Sequence, residues 1–159
     1  EPDFVVADIG AGTGYFSLPI AARVPQGRVL AVDIQPEMLE IISSRIVQSG
    51  IANVEPVLGG IDSPNLAASS VDLAFIVDAY HEFSHPFEMG QGLFEALKPG
   101  GQLVLIEYRG EDASVPIKRL HKMTAQQAGK EIRALGFRGP DVLDVLPQQH
   151  ILIFTKPSG

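Results

Sequence analysis

The stretch Asp8-Ile9-Gly10-Ala11-Gly12-Thr13-Gly14 places three glycines at alternate positions, at the end of a short apolar and β-branched run over residues 4–9. Such a run is typical of a buried strand, and residues 14–24 are predicted to form the helix that follows it. Glycines at this junction permit a sharp turn and let a ligand approach the main chain. The N-terminus of the helix offers free N–H groups to a carboxylate or a phosphate. The stretch therefore predicts a strand, turn and helix that bind a polar ligand.

The rest of the chain continues this alternation of strands and helices. Strands are predicted at residues 28–33, 53–58, 71–77, 102–108, 142–146 and 150–155. Helices are predicted at residues 36–49, 87–97 and 124–135, with a loop over residues 110–123. The alternation indicates an α/β fold with a doubly wound, mostly parallel sheet. The last two strands are too close in sequence for a crossover, so they are predicted to form an antiparallel hairpin.

Length, charge and composition narrow the function classes. The 159 residues predict one domain, residues 1–159, and a net charge of −7 disfavours binding to nucleic acids or anionic membranes. The absence of cysteine excludes disulfides, thiolate metal sites and a cysteine nucleophile, and no metal site is predicted. Without a membrane-spanning run or a signal peptide, a cytoplasmic location is expected. Because the chain opens at Glu1 and enters a strand at once, we expect a fragment of a longer protein.

Polar residues and glycines follow the predicted strands, and the carboxyl ends of parallel strands meet at one edge of a sheet, where ligands bind. Asp33 ends the second strand and follows Gly14 by 19 residues. A carboxylate at this position accepts hydrogen bonds from two ribose hydroxyls. The alternative is an acid that caps the helix beginning at Pro36. The spacing favours a ligand with an adenosine-type ribose.

The glycine stretch departs from the dinucleotide pattern Gly-x-Gly-x-x-Gly, because position 15 is Tyr15. It resembles motif I of the class I S-adenosylmethionine-dependent methyltransferases. The resemblance continues in Val71-Asp72-Leu73-Ala74-Phe75, which is similar to the entry to strand four, and in Leu97-Lys98-Pro99-Gly100-Gly101-Gln102-Leu103, which is similar to the turn before strand five. It implies a Rossmann-like, seven-stranded sheet with the strand order 3-2-1-4-5-7-6.

The resemblance also implies S-adenosyl-L-methionine as cofactor and S-adenosyl-L-homocysteine as product. Asp33 would bind the ribose and Ile34 the adenine, while Asp78 and Ala79 would lie beside the methionine portion. Asp62 is assigned to the adenine amino group, although the usual Gly-Asp-Ala of the family is replaced here by Gly59-Gly60-Ile61-Asp62. The full set of implied cofactor-binding residues is Asp8, Gly10, Ala11, Gly12, Gly14, Asp33, Ile34, Asp62, Asp78 and Ala79.

The sequence indicates less about the methyl acceptor than about the cofactor. Asp78-Ala79-Tyr80-His81 lacks the prolines of the Asn/Asp-Pro-Pro-Tyr motif found in enzymes that methylate amide or adenine nitrogens. The arrangement resembles the small-molecule branch that includes the quinone-biosynthesis and arsenite methyltransferases, and the lack of cysteine disfavours arsenite. The expected partner is therefore a small-molecule substrate, with no nucleic acid and no membrane.

Four acid or base side chains are candidates for catalysis: His81, Glu82, Glu107 and His121. His81 and Glu107 are preferred, since Glu82 suits a helix N-terminus. The alternatives are that His81 only packs the pocket and that Glu107 pairs with Arg109.

Two other functions stay open: a non-catalytic subunit that binds an adenosine cofactor, and an NAD-dependent oxidoreductase, which Tyr15 and the C-terminal hairpin disfavour. Family members usually place further helices ahead of strand one. A sheet face that such helices would cover offers a surface for association, so a homodimer is one alternative to a monomer.

Overall fold

A computed structural model describes all residues, 1–159, as seven strands and four helices. The strands are β1 (Val5–Ile9), β2 (Arg28–Asp33), β3 (Val54–Leu58), β4 (Val71–Val77), β5 (Leu97–Tyr108), β6 (Arg138–Leu143) and β7 (Gln149–Thr155). The helices are α1 (Ser17–Ala21), α2 (Pro36–Ser49), α3 (Pro86–Ala96) and α4 (Ala125–Ala134). Two short 3₁₀ turns, Tyr80–Glu82 and Arg119–His121, follow β4 and β5 respectively.

The seven strands form one sheet in the order β3-β2-β1-β4-β5-β7-β6, which confirms the predicted order. Strands β1 to β5 are parallel, while β7 runs antiparallel to both β5 and β6. Strand β1 lies between β2 and β4, so the chain winds outward in both directions from this position. A crevice at the carboxyl ends of the strands is expected at such a switch point.

Alternate residues of the strands supply two apolar layers, one on each face of the sheet. Val6 belongs to the layer that also contains Leu18 of α1 and Ile42 of α2. Ala7 belongs to the opposite layer, together with Leu93 of α3 and Ile132 of α4. This division covers both faces of the central strands and holds the sheet edge in a fixed position. None of the helices combines the length and apolar character needed to cross a membrane.

Three element boundaries differ from the prediction. Helix α1 is only five residues long, because the glycine turn continues to Phe16 before the helix begins. Strand β5 begins at Leu97, directly after α3, where Leu97 pairs with Val71 across an irregular register. Strand β6 lies at the sheet edge with mostly exposed side chains, so it lacks the apolar alternation that reveals a strand. The prediction of residues 142–146 for this strand was wrong, although the antiparallel hairpin is confirmed.

Candidate cofactor and active site

A cavity of about 450 Å³ opens at the carboxyl edge of the sheet, where β1, β2, β3 and β4 end. Six of the residues predicted to bind the cofactor line it: Gly10, Gly12, Asp33, Ile34, Asp78 and Ala79. The other four do not line it. Asp8 and Ala11 are buried, Gly14 packs toward α2, and Asp62 is exposed outside the cavity.

The glycine turn owes its shape to positive φ angles at Gly10, Gly12 and Gly14, of 75°, 54° and 76°. L-residues with a side chain rarely adopt such angles. At Gly10, a Cβ atom would lie only 3.2 Å from the Cβ of Ala79, so the end of β1 and the segment after β4 approach each other closely. At Gly12, a Cβ atom would meet no atom within 4 Å, so a ligand can approach the Cα of Gly12 closely.

Asp33 connects the glycine turn to the start of α2. Its carboxylate is buried and accepts hydrogen bonds from the main-chain N–H of Gly12, at 2.8 Å, and of Gln35, at 2.9 Å. A carboxylate has about four lone-pair positions, so two remain for further donors. The bond to Gln35 supports the helix start that was the alternative interpretation, yet the side chain also lines the cavity. Asp33 therefore fits a ligand with two neighbouring hydroxyls.

The carboxylate of Asp8 lies deeper in the protein than that of Asp33. Its Oδ2 accepts a hydrogen bond from the Ser17 hydroxyl at 2.6 Å, which ties β1 to α1. Burial raises the pKa of Asp8 to about 6, against the lowering effect of Ser17, and the charge of Asp33 raises it further. Its contacts make Asp8 a support for the glycine turn, because the side chain does not reach the cavity.

Asp78 has an unusual backbone and environment. It is one of three non-glycine residues with a positive φ, here 48°. Its Oδ2 accepts a hydrogen bond from the Gln149 side chain at 2.7 Å, while its Oδ1 is buried with no partner. Strain and an unsatisfied polar atom together are typical of functional positions. Gln149 was not predicted, because no local signal links residues 71 positions apart.

A second cavity, of about 430 Å³, adjoins the first, since Asp78 and Glu82 line both. It brings together His81 and His121, which belong to the two 3₁₀ turns, and residues 116–118 also line it. All four acid or base candidates of the sequence analysis thus lie at or next to this cavity, with Glu107 immediately behind it.

Glu107 and His81 form a buried pair. The Nδ1 of His81 lies 2.6 Å from Oε2 of Glu107, and the other oxygen of Glu107 accepts a hydrogen bond from the Tyr80 N–H at 2.9 Å. Burial raises the pKa of Glu107, while the hydrogen bond and charge of His81 oppose the rise. When Nδ1 carries the proton that faces Glu107, Nε2 keeps its lone pair. The alternative pairing of Glu107 with Arg109 is wrong, because Arg109 bonds to Asp144 and to the carbonyl of Leu146.

Known proteins of similar sequence match about two thirds of the chain. The tRNA U34 carboxymethyltransferase of Desulfotalea psychrophila is 31% identical over 103 residues, which are 64% of this chain and 31% of that protein. The ubiquinone/menaquinone biosynthesis C-methyltransferase of Hydrogenovibrio crunogenus is 29% identical over 110 residues, 68% of this chain and 43% of that protein. The chain thus spans less than half the length of these curated relatives.

Solved structures share the fold over nearly the whole chain. A SAM-dependent methyltransferase from Aquifex aeolicus has a TM-score of 0.89 at 23% identity, covering 96% of this chain and 82% of its own. The [4+2]-cyclase SpnF has a TM-score of 0.86 at 20% identity, covering 99% of this chain and 76% of its own. The same fold therefore accompanies more than one reaction.

The family comparison is more specific than the fold. Residues 6–101, which include the glycine turn, Asp33 and Asp78, match the family described as methyltransferase domain. Because this match spans more than half of the sequence, the chain belongs to the methyltransferase domain family.

Proposed function

We propose that this chain binds S-adenosylmethionine in the 450 Å³ cavity and takes part in transferring its methyl group to a small-molecule acceptor. The observation that carries the proposal is the placement of Asp33, whose buried carboxylate lines the cavity and accepts a hydrogen bond from the Gly12 N–H at 2.8 Å. Membership of the methyltransferase domain family supports the choice of cofactor. S-adenosylhomocysteine would be the product.

The cavity residues fit the three parts of this cofactor. The free lone pairs of Asp33 suit the two ribose hydroxyls. Ile34 and Ile61 offer exposed apolar surface to the adenine ring. Asp78 supplies a carboxylate for the cationic amino group, and its buried, unpartnered Oδ1 is consistent with a missing donor. Asp62 is exposed and lies outside the lining residues, so no contact with the adenine is proposed for it.

When bound, the cofactor supplies a methyl group that the sulfonium has already activated. The main tasks of the chain are then to hold an acceptor in line with the methyl group and to exclude water. His81 lines the adjoining cavity and is proposed to contact the acceptor there. Glu107 is fully buried and bonded to His81, so we propose it as a positioning residue.

The size and charge of the molecule favour a small acceptor over a nucleic acid. The second cavity, at about 430 Å³, suits a compact molecule. A tRNA acceptor, as the name of one relative would suggest, calls for a basic surface, whereas this chain carries a net charge of −7.

The choice of cofactor is tested by calorimetric titration with S-adenosylhomocysteine and, separately, with NADH. We expect S-adenosylhomocysteine to bind and NADH to show no heat of binding at the same concentrations. Micromolar binding of NADH without affinity for S-adenosylhomocysteine would overturn the proposal in favour of an oxidoreductase.

Turnover distinguishes an enzyme from a non-catalytic binding subunit. The measurement is release of S-adenosylhomocysteine from S-adenosylmethionine in the presence of a panel of quinols, phenols and amines. Cofactor binding without release against any acceptor, in a protein that also contains any segments flanking this chain, would favour the binding subunit.

A further inference from the structure

Three potential metal ligands converge at the second cavity. His81 and Glu82 come from the 3₁₀ turn after β4, and His121 comes from the turn after β5. Nε2 of His81 lies 3.3 Å from Nδ1 of His121. Oε1 of Glu82 lies 3.9 Å from the same atom of His81 and 3.7 Å from Nδ1 of His121. The three side chains thus meet from two segments that are 40 residues apart.

These separations are close to those of a tetrahedral metal site. Metal–ligand bonds of about 2.0–2.2 Å place the ligand atoms roughly 3.3–3.6 Å from one another. The two histidine nitrogens already have this spacing. Glu82 is exposed and its side chain is free to rotate, so a shift of about half an ångström would complete the set.

The environment of His81 supports this role. Its side chain is only 6% exposed, and its Nδ1 is held by the fully buried Glu107 at 2.6 Å. A carboxylate that accepts the hydrogen bond from one imidazole nitrogen is the usual outer partner of a metal-bound histidine, because it fixes the ring and leaves the other lone pair free.

We propose that His81, Glu82 and His121 form a binding site for one divalent transition-metal ion, such as Zn²⁺. Two imidazoles and one carboxylate select such ions over Mg²⁺ and Ca²⁺, which prefer oxygen ligands. Three protein ligands leave a position for water or a substrate group. The sequence alone predicts no metal site, because nothing in it places His121 beside His81. The proposal does not depend on the proposed cofactor.

The test uses untagged protein that has been stripped with a chelator and then dialysed. Zn²⁺ is titrated by calorimetry, and Co²⁺ is titrated by visible absorption, which reports the coordination of the ion. The variants are His121→Asn and Glu82→Gln. The matched control is His85→Asn, because His85 is an exposed histidine near the first 3₁₀ turn whose side chain has a hydrogen bond with the Ser84 hydroxyl and lies outside the cluster.

We expect the parent and His85→Asn to bind one ion per chain with the same affinity. Loss of a direct ligand should cost at least the ~10–100-fold that removal of an outer partner typically costs. His121→Asn and Glu82→Gln should therefore bind both ions more weakly, with unchanged circular dichroism. Absence of stoichiometric binding by the parent, or equal binding by the folded His121→Asn and Glu82→Gln variants, would overturn the proposal. Because no cofactor is present, failure here leaves the titration with S-adenosylhomocysteine unaffected.

Discussion

Two aspartates at neighbouring strand ends, Asp8 and Asp33, have different roles because their surroundings differ. Asp33 accepts two main-chain hydrogen bonds and lines the 450 Å³ cavity. The carboxylate of Asp8 accepts a hydrogen bond from the Ser17 hydroxyl and does not line the cavity. The first is suited to hold a ligand, and the second stores unfavourable desolvation energy beneath the ligand site.

The raised pKa of Asp8 predicts a pH dependence of stability. Its pKa is about 6 in the folded chain and 3.8 ordinarily, so between these values the folded state binds more protons than the unfolded state. The free energy of unfolding should therefore fall as pH rises from about 4 to about 6, by up to about 3 kcal/mol from this residue. Asp8→Asn should remove this part of the fall, as measured by urea denaturation across that range.

The effect of Asp8 is the difference in the free energy of unfolding between the parent and Asp8→Asn at each pH, since other carboxyl groups affect both proteins alike. Ser17→Ala is the matched companion, because loss of the Ser17 hydroxyl should raise the pKa of Asp8 further and deepen the fall. A difference that does not change between pH 4 and pH 7 would contradict the raised pKa.

Substitution of Gly10 by alanine is predicted to destabilise the fold through steric crowding as well as backbone strain. Gly10→Ala introduces a Cβ 3.2 Å from the Cβ of Ala79, in addition to the strain of a positive φ. Gly50→Ala is the control, because Gly50 has a φ of 67° and a Cβ there would meet nothing within 4 Å. Both should lose about 1–2 kcal/mol to backbone strain, and Gly10→Ala should lose more. Equal losses of stability for the two variants in thermal or urea unfolding would mean that Ala79 moves aside at no cost in free energy.

At the scale of elements, the buried end of β5 holds the 3₁₀ turn after β4 in place. Glu107→Ala would leave the Tyr80 N–H and the His81 ring without their partner inside the protein. Unsatisfied buried donors cost about 1–3 kcal/mol each, so we expect a loss of about 2–4 kcal/mol in the free energy of unfolding.

Glu55 provides the control for this variant. Its ion pair with Arg28, at 3.5 Å, is more than half exposed on both sides, so Glu55→Ala should cost less than about 1 kcal/mol. A loss for Glu107→Ala as small as that for Glu55→Ala, measured by urea denaturation, would show that the turn after β4 does not depend on Glu107.

Elements with a strong local signal were predictable from the sequence, and the others were not. The buried apolar runs of β1, β2 and β4 and the apolar face of α2 identify those elements directly. Strand β6 is exposed at the sheet edge and gives no such pattern. Helix α1 starts late, because the positive-φ glycines hold the preceding residues in a turn.

The same distinction applies to the site. Gly10, Asp33 and Asp78 directly follow strands and line the cavity, because the carboxyl ends of parallel strands meet at one edge. The partners that come from distant loops could not be placed. Gln149 beside Asp78 and His121 beside His81 depend on how the chain folds back after β5.

At the scale of the whole molecule, the strand order explains the position of the cavity. Strand β1 lies between β2 and β4, so the segments that follow these three strands diverge and leave a crevice. The glycine turn, Asp33 and Asp78 each come from one of the three. A site assembled in this way depends on the complete sheet and not on any single motif.

Asp33 is the residue proposed to bind the ribose of an S-adenosylmethionine-type cofactor in this cavity. Calorimetric titration of S-adenosylhomocysteine into the parent, Asp33→Ala and Asp62→Ala tests this claim most directly, with Asp62 as the exposed acid outside the lining residues. Hydrogen bonds to a charged group are worth about 1.5–3 kcal/mol each, so Asp33→Ala should weaken binding roughly 100-fold or more. Asp62→Ala should bind like the parent. Binding by a folded Asp33→Ala variant that equals that of the parent would contradict the claim.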